Sequence, residues 1–294
     1  MKNTIFTGAA TALVTPFKNG TIDYEAFERI LEQQISGGIS ALVAAGTTGE
    51  GSTLTDDEHK EIIRFAVEKV AGRVPVIAGT GSNDTAYAIE LSRFACSAGA
   101  DALLLVTPYY NKATQEGLYQ SFKAIAGACD KPCILYNVPS RTGCNILPET
   151  AARLAEIDNI VAIKEASGNI SQIAEIARLC GDSLDIYSGN DDQIVPILSL
   201  GGKGVISVLS NLLPGETDGI CQKFFNGDIE GARKAQLHYI PLINALFSEV
   251  NPIPAKAAMA AMGYGENSLR LPLTPMSAAK AEVLYKMMRE EKLI

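Results

Sequence analysis

The chain has 294 residues, 47% of them hydrophobic and 20% charged, with a formal net charge of −8. That length is near the upper end of what one hydrophobic core organises, and the acidic balance argues against a nucleic-acid binder, whose phosphate contacts need clustered Lys and Arg. The sequence shows no apolar run of membrane-spanning length and no signal-peptide core, so the expectation is a cytoplasmic protein with no membrane or nucleic-acid partner.

Short apolar, β-branched runs recur along the chain at Ala10–Val14, Ala41–Ala45, Val74–Ala78, Ala102–Thr107, Cys133–Asn137, Ile160–Lys164, Leu184–Tyr187 and Gly204–Val208. Amphipathic stretches fill the intervals, among them Tyr24–Ser36, Asp56–Val70, Asp84–Ala98 and Gln115–Cys129. Thr55 with Glu58 fits a capping box, and Ser82-Asn83-Asp84 offers N-cap oxygens. Unbroken runs such as Leu103-Leu104-Leu105-Val106 indicate strands covered on both faces, hence a parallel sheet. Eight strand-plus-helix units within residues 1–226 predict an α/β fold of the (β/α)8 TIM-barrel type. A doubly wound open sheet is the rival that periodicity leaves open. Beyond Gly227 only helical patterns follow, at Asp228–Val250, Ala255–Met262 and Ser277–Glu291, so a small C-terminal helical domain is predicted over 227–294.

Scarce side chains exclude further chemistry. The two histidines, His59 and His238, cannot build a His-rich metal site. Cys96, Cys129, Cys133, Cys144, Cys180 and Cys221 include no C-x-x-C pair and read as small buried hydrophobes. No metal and no organic cofactor is expected.

In such a barrel, function gathers where strands end, at the C-terminal face. Those positions carry Thr47, Thr48, Thr80, Thr107, Tyr109, Tyr110, Tyr136, Asn137, Lys164, Glu165, Ser188 and Gly189. Lys164 comes late in a strand that should be buried on both faces. Burial disfavours a charged amine, and a neutral amine is the nucleophile that forms a Schiff base with a carbonyl substrate. A structural ion pair is the alternative, although alternation should turn Glu165 away from Lys164. Tyr136 ends the preceding strand, where a phenol can shuttle protons to an imine; the alternative is an amphipathic core tyrosine. Arg141, in Pro139-Ser140-Arg141-Thr142-Gly143, suits a substrate carboxylate or a solvated surface position. Gly46-Thr47-Thr48-Gly49-Glu50-Gly51 could cradle a small anion. Gly201-Gly202-Lys203-Gly204 precedes the eighth strand and reads as a turn at the opposite face.

Taken together, Gly46-Thr47-Thr48-Gly49-Glu50, Pro108-Tyr109-Tyr110-Asn111-Lys112, Tyr136-Asn137-Val138-Pro139-Ser140-Arg141-Thr142-Gly143, Ile163-Lys164-Glu165-Ala166-Ser167, Ser188-Gly189-Asn190-Asp191 and Asn251-Pro252-Ile253-Pro254 resemble the pyruvate-dependent class I aldolases, and within them the dihydrodipicolinate synthase family. The resemblance runs from about Gly8 to the C-terminus. It implies an imine between Lys164 and pyruvate, and a proton shuttle at Tyr136 linked through Thr48 to Tyr110. It also implies that Tyr110 reaches into a neighbouring subunit, within a homotetramer built from tight dimers. Thr47 and Thr48 would hold the pyruvate carboxylate, Arg141 that of aspartate 4-semialdehyde, and Gly189 and Ile206 would line the pocket. N-acetylneuraminate lyases and sugar-acid aldolases, which usually lack the loop arginine, are the competing enzyme class, and a silent binding barrel is the non-enzymatic one. In lysine-inhibited relatives a histidine, a glutamate and a serine stand where this chain has Asp56, Tyr87 and Gly51, which implies weak or absent inhibition by lysine.

Overall fold

A computed structural model describes residues 2–294. Eight parallel strands close on themselves: β1 (Gly8–Ala12), β2 (Ala41–Ala44), β3 (Val76–Gly79), β4 (Ala102–Val106), β5 (Cys133–Asn137), β6 (Ile160–Glu165), β7 (Asp185–Ser188) and β8 (Gly204–Ser207). β1 pairs with both β2 and β8, so no strand edge remains and the open-sheet rival is excluded. Gly204 makes that closure possible, since a Cβ there would lie 1.8 Å from the Gly8 carbonyl oxygen. The turn before it runs at the N-terminal face, as its sequence suggests.

Eight helices wrap the barrel: α1 (Tyr24–Ser36), α2 (Asp56–Val70), α3 (Thr85–Ser97), α4 (Gln115–Ala126), α5 (Pro148–Ala155), α6 (Ile170–Cys180), α7 (Ile194–Ser199) and α8 (Pro214–Phe225). The capping box at the start of α2 forms in both directions, with the Glu58 amide on Thr55 Oγ1 and the Thr55 amide on Glu58 Oε2. At α3 the cap is Asp84, which accepts from the Ala86 amide at 2.9 Å. Strand alternation divides the apolar residues into two cores. Ala10, Val43, Ile77, Leu104, Ile134, Ala162 and Ile206 fill the barrel interior, whereas Ala9, Leu42, Leu103, Leu135, Ile163 and Val205 pack under the helices. Tyr187 plugs the interior, stacked on Phe6 at 4.2 Å between centroids and donating to the Phe6 carbonyl at 2.7 Å.

Two strands depart from the sequence reading by two residues, the others by at most one. β1 spans Gly8–Ala12 rather than Ala10–Val14, and β3 spans Val76–Gly79 rather than Val74–Ala78. Buried loop residues at either end are as apolar as the strands, so composition alone does not mark the last ladder bond.

Beyond the barrel follow α9 (Ile229–Leu246), α10 (Ile253–Ala261) and α11 (Ala278–Glu290), and the 226/227 division falls in the turn between α8 and α9. These helices share the outer core with the barrel through Leu242, Leu246, Met259, Leu284 and Met288. α10 also carries a cation inward. Lys256 Nζ lies 2.6 Å from Glu50 Oε1, with both side chains almost wholly buried, and 4.0 Å from the centroid of the Phe17 ring. Glu50 Oε2 accepts from the Arg270 amide at 3.1 Å, and Arg270 itself grips Glu58 with two bonds of 2.6 Å. Removing one partner of such a pair strands a buried charge, at a cost of roughly 3–5 kcal/mol. Glu50→Gln is therefore expected to lower unfolding free energy by about that amount in a denaturant titration; a variant as stable as the parent would contradict the role given to the pair.

Candidate active site

The mouth of the barrel is built by two adjacent strand ends. Tyr136 on β5 and Lys164 on β6 are register partners, and both point inward. Lys164 is 6% exposed, and its Nζ stands 4.2 Å from the centroid of the Tyr136 ring. The next residue turns the other way. Glu165 accepts from Asn137, from the Ser167 amide and hydroxyl, and from Gln172 Nε2 at 3.1 Å, all in the layer between strands and helices. The ion-pair reading of Lys164 with Glu165 is thereby excluded.

Gly189, after β7, makes room for the lysine. A Cβ there would sit 3.1 Å from Lys164 Cε and 2.7 Å from Ala166 Cβ. Ile206, on β8, belongs to the same interior cluster as Tyr136. Three residues past the end of β7 stands Asp191, which the sequence reading quoted without a role. Its Oδ2 accepts from the amides of Val208 and Leu209 at 3.0 and 2.9 Å, while Oδ1 has no partner. Burial pushes this carboxyl up from its usual range, against the Ser207 hydroxyl, those amides and the Lys164 charge.

A cavity of about 510 Å³ opens above, with Thr47, Tyr136, Arg141 and Tyr109 on its wall. The loop from Gly46 to Gly51 is pinned by Thr15 Oγ1 on the Gly49 carbonyl (2.7 Å) and by the Glu50 amide on the Thr47 carbonyl (3.1 Å). Thr48 is buried, and its Oγ1 accepts from Asn251 Nδ2 at 2.9 Å. The Asn251 carbonyl in turn accepts from Arg141 Nη2 at 3.3 Å. One residue ahead of α10 thus touches both a loop hydroxyl and the loop arginine. Sequence reasoning missed this function of Asn251, although Asn251-Pro252-Ile253-Pro254 marked the segment. His59, also on the wall, meets the Gly79 carbonyl at 2.7 Å, and burial lowers its pKa, which favours a neutral structural histidine.

Tyr110 is not brought to this cluster within the chain. It is 93% exposed, at φ +70°, in a loop tied by Asn111 Nδ2 to the Asn83 carbonyl at 2.9 Å. Among the described residues no group of His, Cys, Asp and Glu has the geometry to hold a metal ion, and no helix is long and apolar enough to cross a membrane.

Fold and site together define a (β/α)8-barrel enzyme with an inward lysine beside a phenol at its C-terminal mouth. The chain belongs to the dihydrodipicolinate synthetase family, whose model matches residues 5–291. It is 59% identical over 292 residues to 4-hydroxy-tetrahydrodipicolinate synthase of Lachnoclostridium phytofermentans, covering 99% of each chain. The dihydrodipicolinate synthase structure from Thermotoga maritima superposes with a TM-score of 0.97 at 45% identity, over 99% of this chain and 100% of that one. The chloride-inhibited dihydrodipicolinate synthase of Acinetobacter baumannii, solved with pyruvate, gives 0.96 at 43% identity, over 99% and 100%.

Gly189 offers a direct probe of this geometry. Gly189→Ala is expected to displace Lys164 and reduce turnover roughly 100-fold, the scale on which a misplacement of about 1 Å acts. Steady-state kinetics checks it; parental turnover would show that Lys164 has slack in this pocket.

Proposed function

We propose that the protein condenses pyruvate with L-aspartate 4-semialdehyde to 4-hydroxy-tetrahydrodipicolinate, in the diaminopimelate route to lysine. The observation that carries the proposal is the register pair Tyr136–Lys164 at the barrel mouth, with Arg141 on the wall of the cavity that Tyr136 lines.

Lys164 Nζ attacks the keto carbon of pyruvate, and the carbinolamine loses water to an imine as Tyr136 carries protons to and from the departing oxygen. Thr47 and Thr48 hold the pyruvate carboxylate; Gly189 and Ile206 form the wall around the adduct. The protonated imine is an electron sink, so loss of a methyl proton gives an enamine. Its carbon attacks the aldehyde of the second substrate, whose carboxylate Arg141 grips. The amine of the bound semialdehyde then attacks the imine carbon, closes the ring and releases Lys164. Thr48 relays protons from Tyr136 towards Tyr110 of a neighbouring subunit. The exposed, outward-held Tyr110 supports that arrangement, within a cytoplasmic homotetramer built from tight dimers.

The site also bears on feedback. Asp56 is engaged by Lys60 Nζ at 2.7 Å and by the Tyr87 hydroxyl at 3.1 Å. Its charge is therefore already compensated, and Tyr87 brings no carboxylate to meet a ligand's ammonium. Lysine should inhibit weakly or not at all.

Coupled assays of pyruvate consumption test these points together. Lys164→Ala should be inactive. Arg141→Ala should keep its KM for pyruvate and lose about 1.5–3 kcal/mol, roughly 10- to 160-fold, in kcat/KM for the semialdehyde. Millimolar lysine should leave the parent rate nearly unchanged. Cleavage of N-acetylneuraminate without semialdehyde-dependent consumption would overturn the substrate assignment, and half-inhibition at sub-millimolar lysine would overturn the reading of Asp56 and Tyr87.

A further inference from the structure

The barrel's N-terminal face carries a group of thiols that the condensation does not use. Cys96 lies in the last turn of α3, Cys129 three residues beyond α4, and Cys133 opens β5. The sequence reading took all six cysteines as buried, but Cys96 and Cys129 are only partly so. The fold brings Cys96 and Cys129, 33 residues apart, onto the wall of one surface cavity, with Cys133 four residues beyond Cys129. The segment is held in shape by Asn159. Its Nδ2 donates to the carbonyls of Ala126 (2.9 Å), Cys129 (3.2 Å) and Lys131 (3.3 Å) and lies 3.9 Å from Cys133 Sγ.

The thiols differ in access and in proton affinity. A surface cavity of about 550 Å³ opens over Cys96 and Cys129, and Arg93 and Asp130 also line it. Cys133 is closed off, with its Sγ 3.6 Å from the Lys131 carbonyl. The Cys129 thiol faces the carbonyls of Ala126 and Ile125 at 3.8 and 3.9 Å. Hydrogen bonds from Cys133 and then Cys96 draw the Cys129 thiol down to about 6, against its desolvation and the Asp130 charge. Burial moves Cys96 the other way. One thiol is thus set to attack and its neighbour on the cavity wall to follow.

We propose that Cys96 and Cys129 are a thiol–disulfide modification site for low-molecular-weight disulfides entering this cavity. The Cys129 thiolate attacks one sulfur of the reagent, forming a mixed disulfide and expelling one thiolate. Cys96 gives up its proton to that departing thiolate, and its sulfur displaces the second half of the reagent from Cys129. In sum, two protein thiols and one disulfide become one Cys96–Cys129 disulfide and two small thiols, and two electrons pass from protein to reagent. The new bond ties the end of α3 to the segment leading into β5, the strand that carries Tyr136.

Treating the full chain with dithiobis(nitrobenzoate) at neutral pH tests this. A rapid phase, about tenfold or more faster than the other thiols react, should release two equivalents of thionitrobenzoate and leave no bound label. Peptide mapping should then join the Cys96 peptide to Cys129. Cys96→Ser should release one equivalent and retain the mixed disulfide on Cys129, and Cys129→Ser should lose the rapid phase. Because both residues are partly exposed and remote from Lys164, condensation activity in each variant reports that it is folded. A rapid phase surviving in folded Cys129→Ser, a Cys129–Cys133 pairing, or no disulfide at all would overturn the proposal.

Discussion

Alternation along β6 is the constraint on which the site depends. In a closed barrel, neighbouring residues of a strand go to different cores, one filled by side chains and one shared with the helices. Lys164 therefore enters the barrel while Glu165 leaves it, and the carboxylate nearest in sequence is spent on Asn137, Ser167 and Gln172. The lysine's neighbour is instead the ring of Tyr136. A one-residue slip of β6 would exchange these roles and bring a carboxylate to the mouth.

The helices after the barrel secure this arrangement from above. α10 is buried on almost every side, and its Lys256 ends on Glu50, inside the loop that carries Thr47 and Thr48. Asn251 adds a direct hold on Thr48 and Arg141. The loop needs such support because it runs through left-handed backbone at Ala45 and Glu50, a conformation that non-glycine residues keep only where the surroundings enforce it. C-terminal helices and catalytic mouth thus form one mechanical unit.

Much of this was legible in the sequence because it follows from local pattern. Unbroken apolar strands that end in a lysine and a tyrosine, and a capping box at Thr55, need no tertiary knowledge. Other features are legible only through the fold. Asp191, Asn251 and Lys256 look like surface polar residues until packing buries them against partners 17, 203 and 206 positions away, the Val208 amide, Thr48 and Glu50 respectively. The cysteines show the same limit. Spacing revealed no C-x-x-C pair, because three separate elements supply Cys96, Cys129 and Cys133. Strand ends drifted by two residues at β1 and β3 for want of any polar boundary.

The central claim is that the inward amine of Lys164 forms the imine. Borohydride reduction of the protein in the presence of pyruvate, followed by peptide mass mapping, tests it most directly. The account predicts one reduced pyruvate per chain, on Lys164 and absent from Lys164→Arg. No adduct, or an adduct on Lys256 or another lysine, would contradict it.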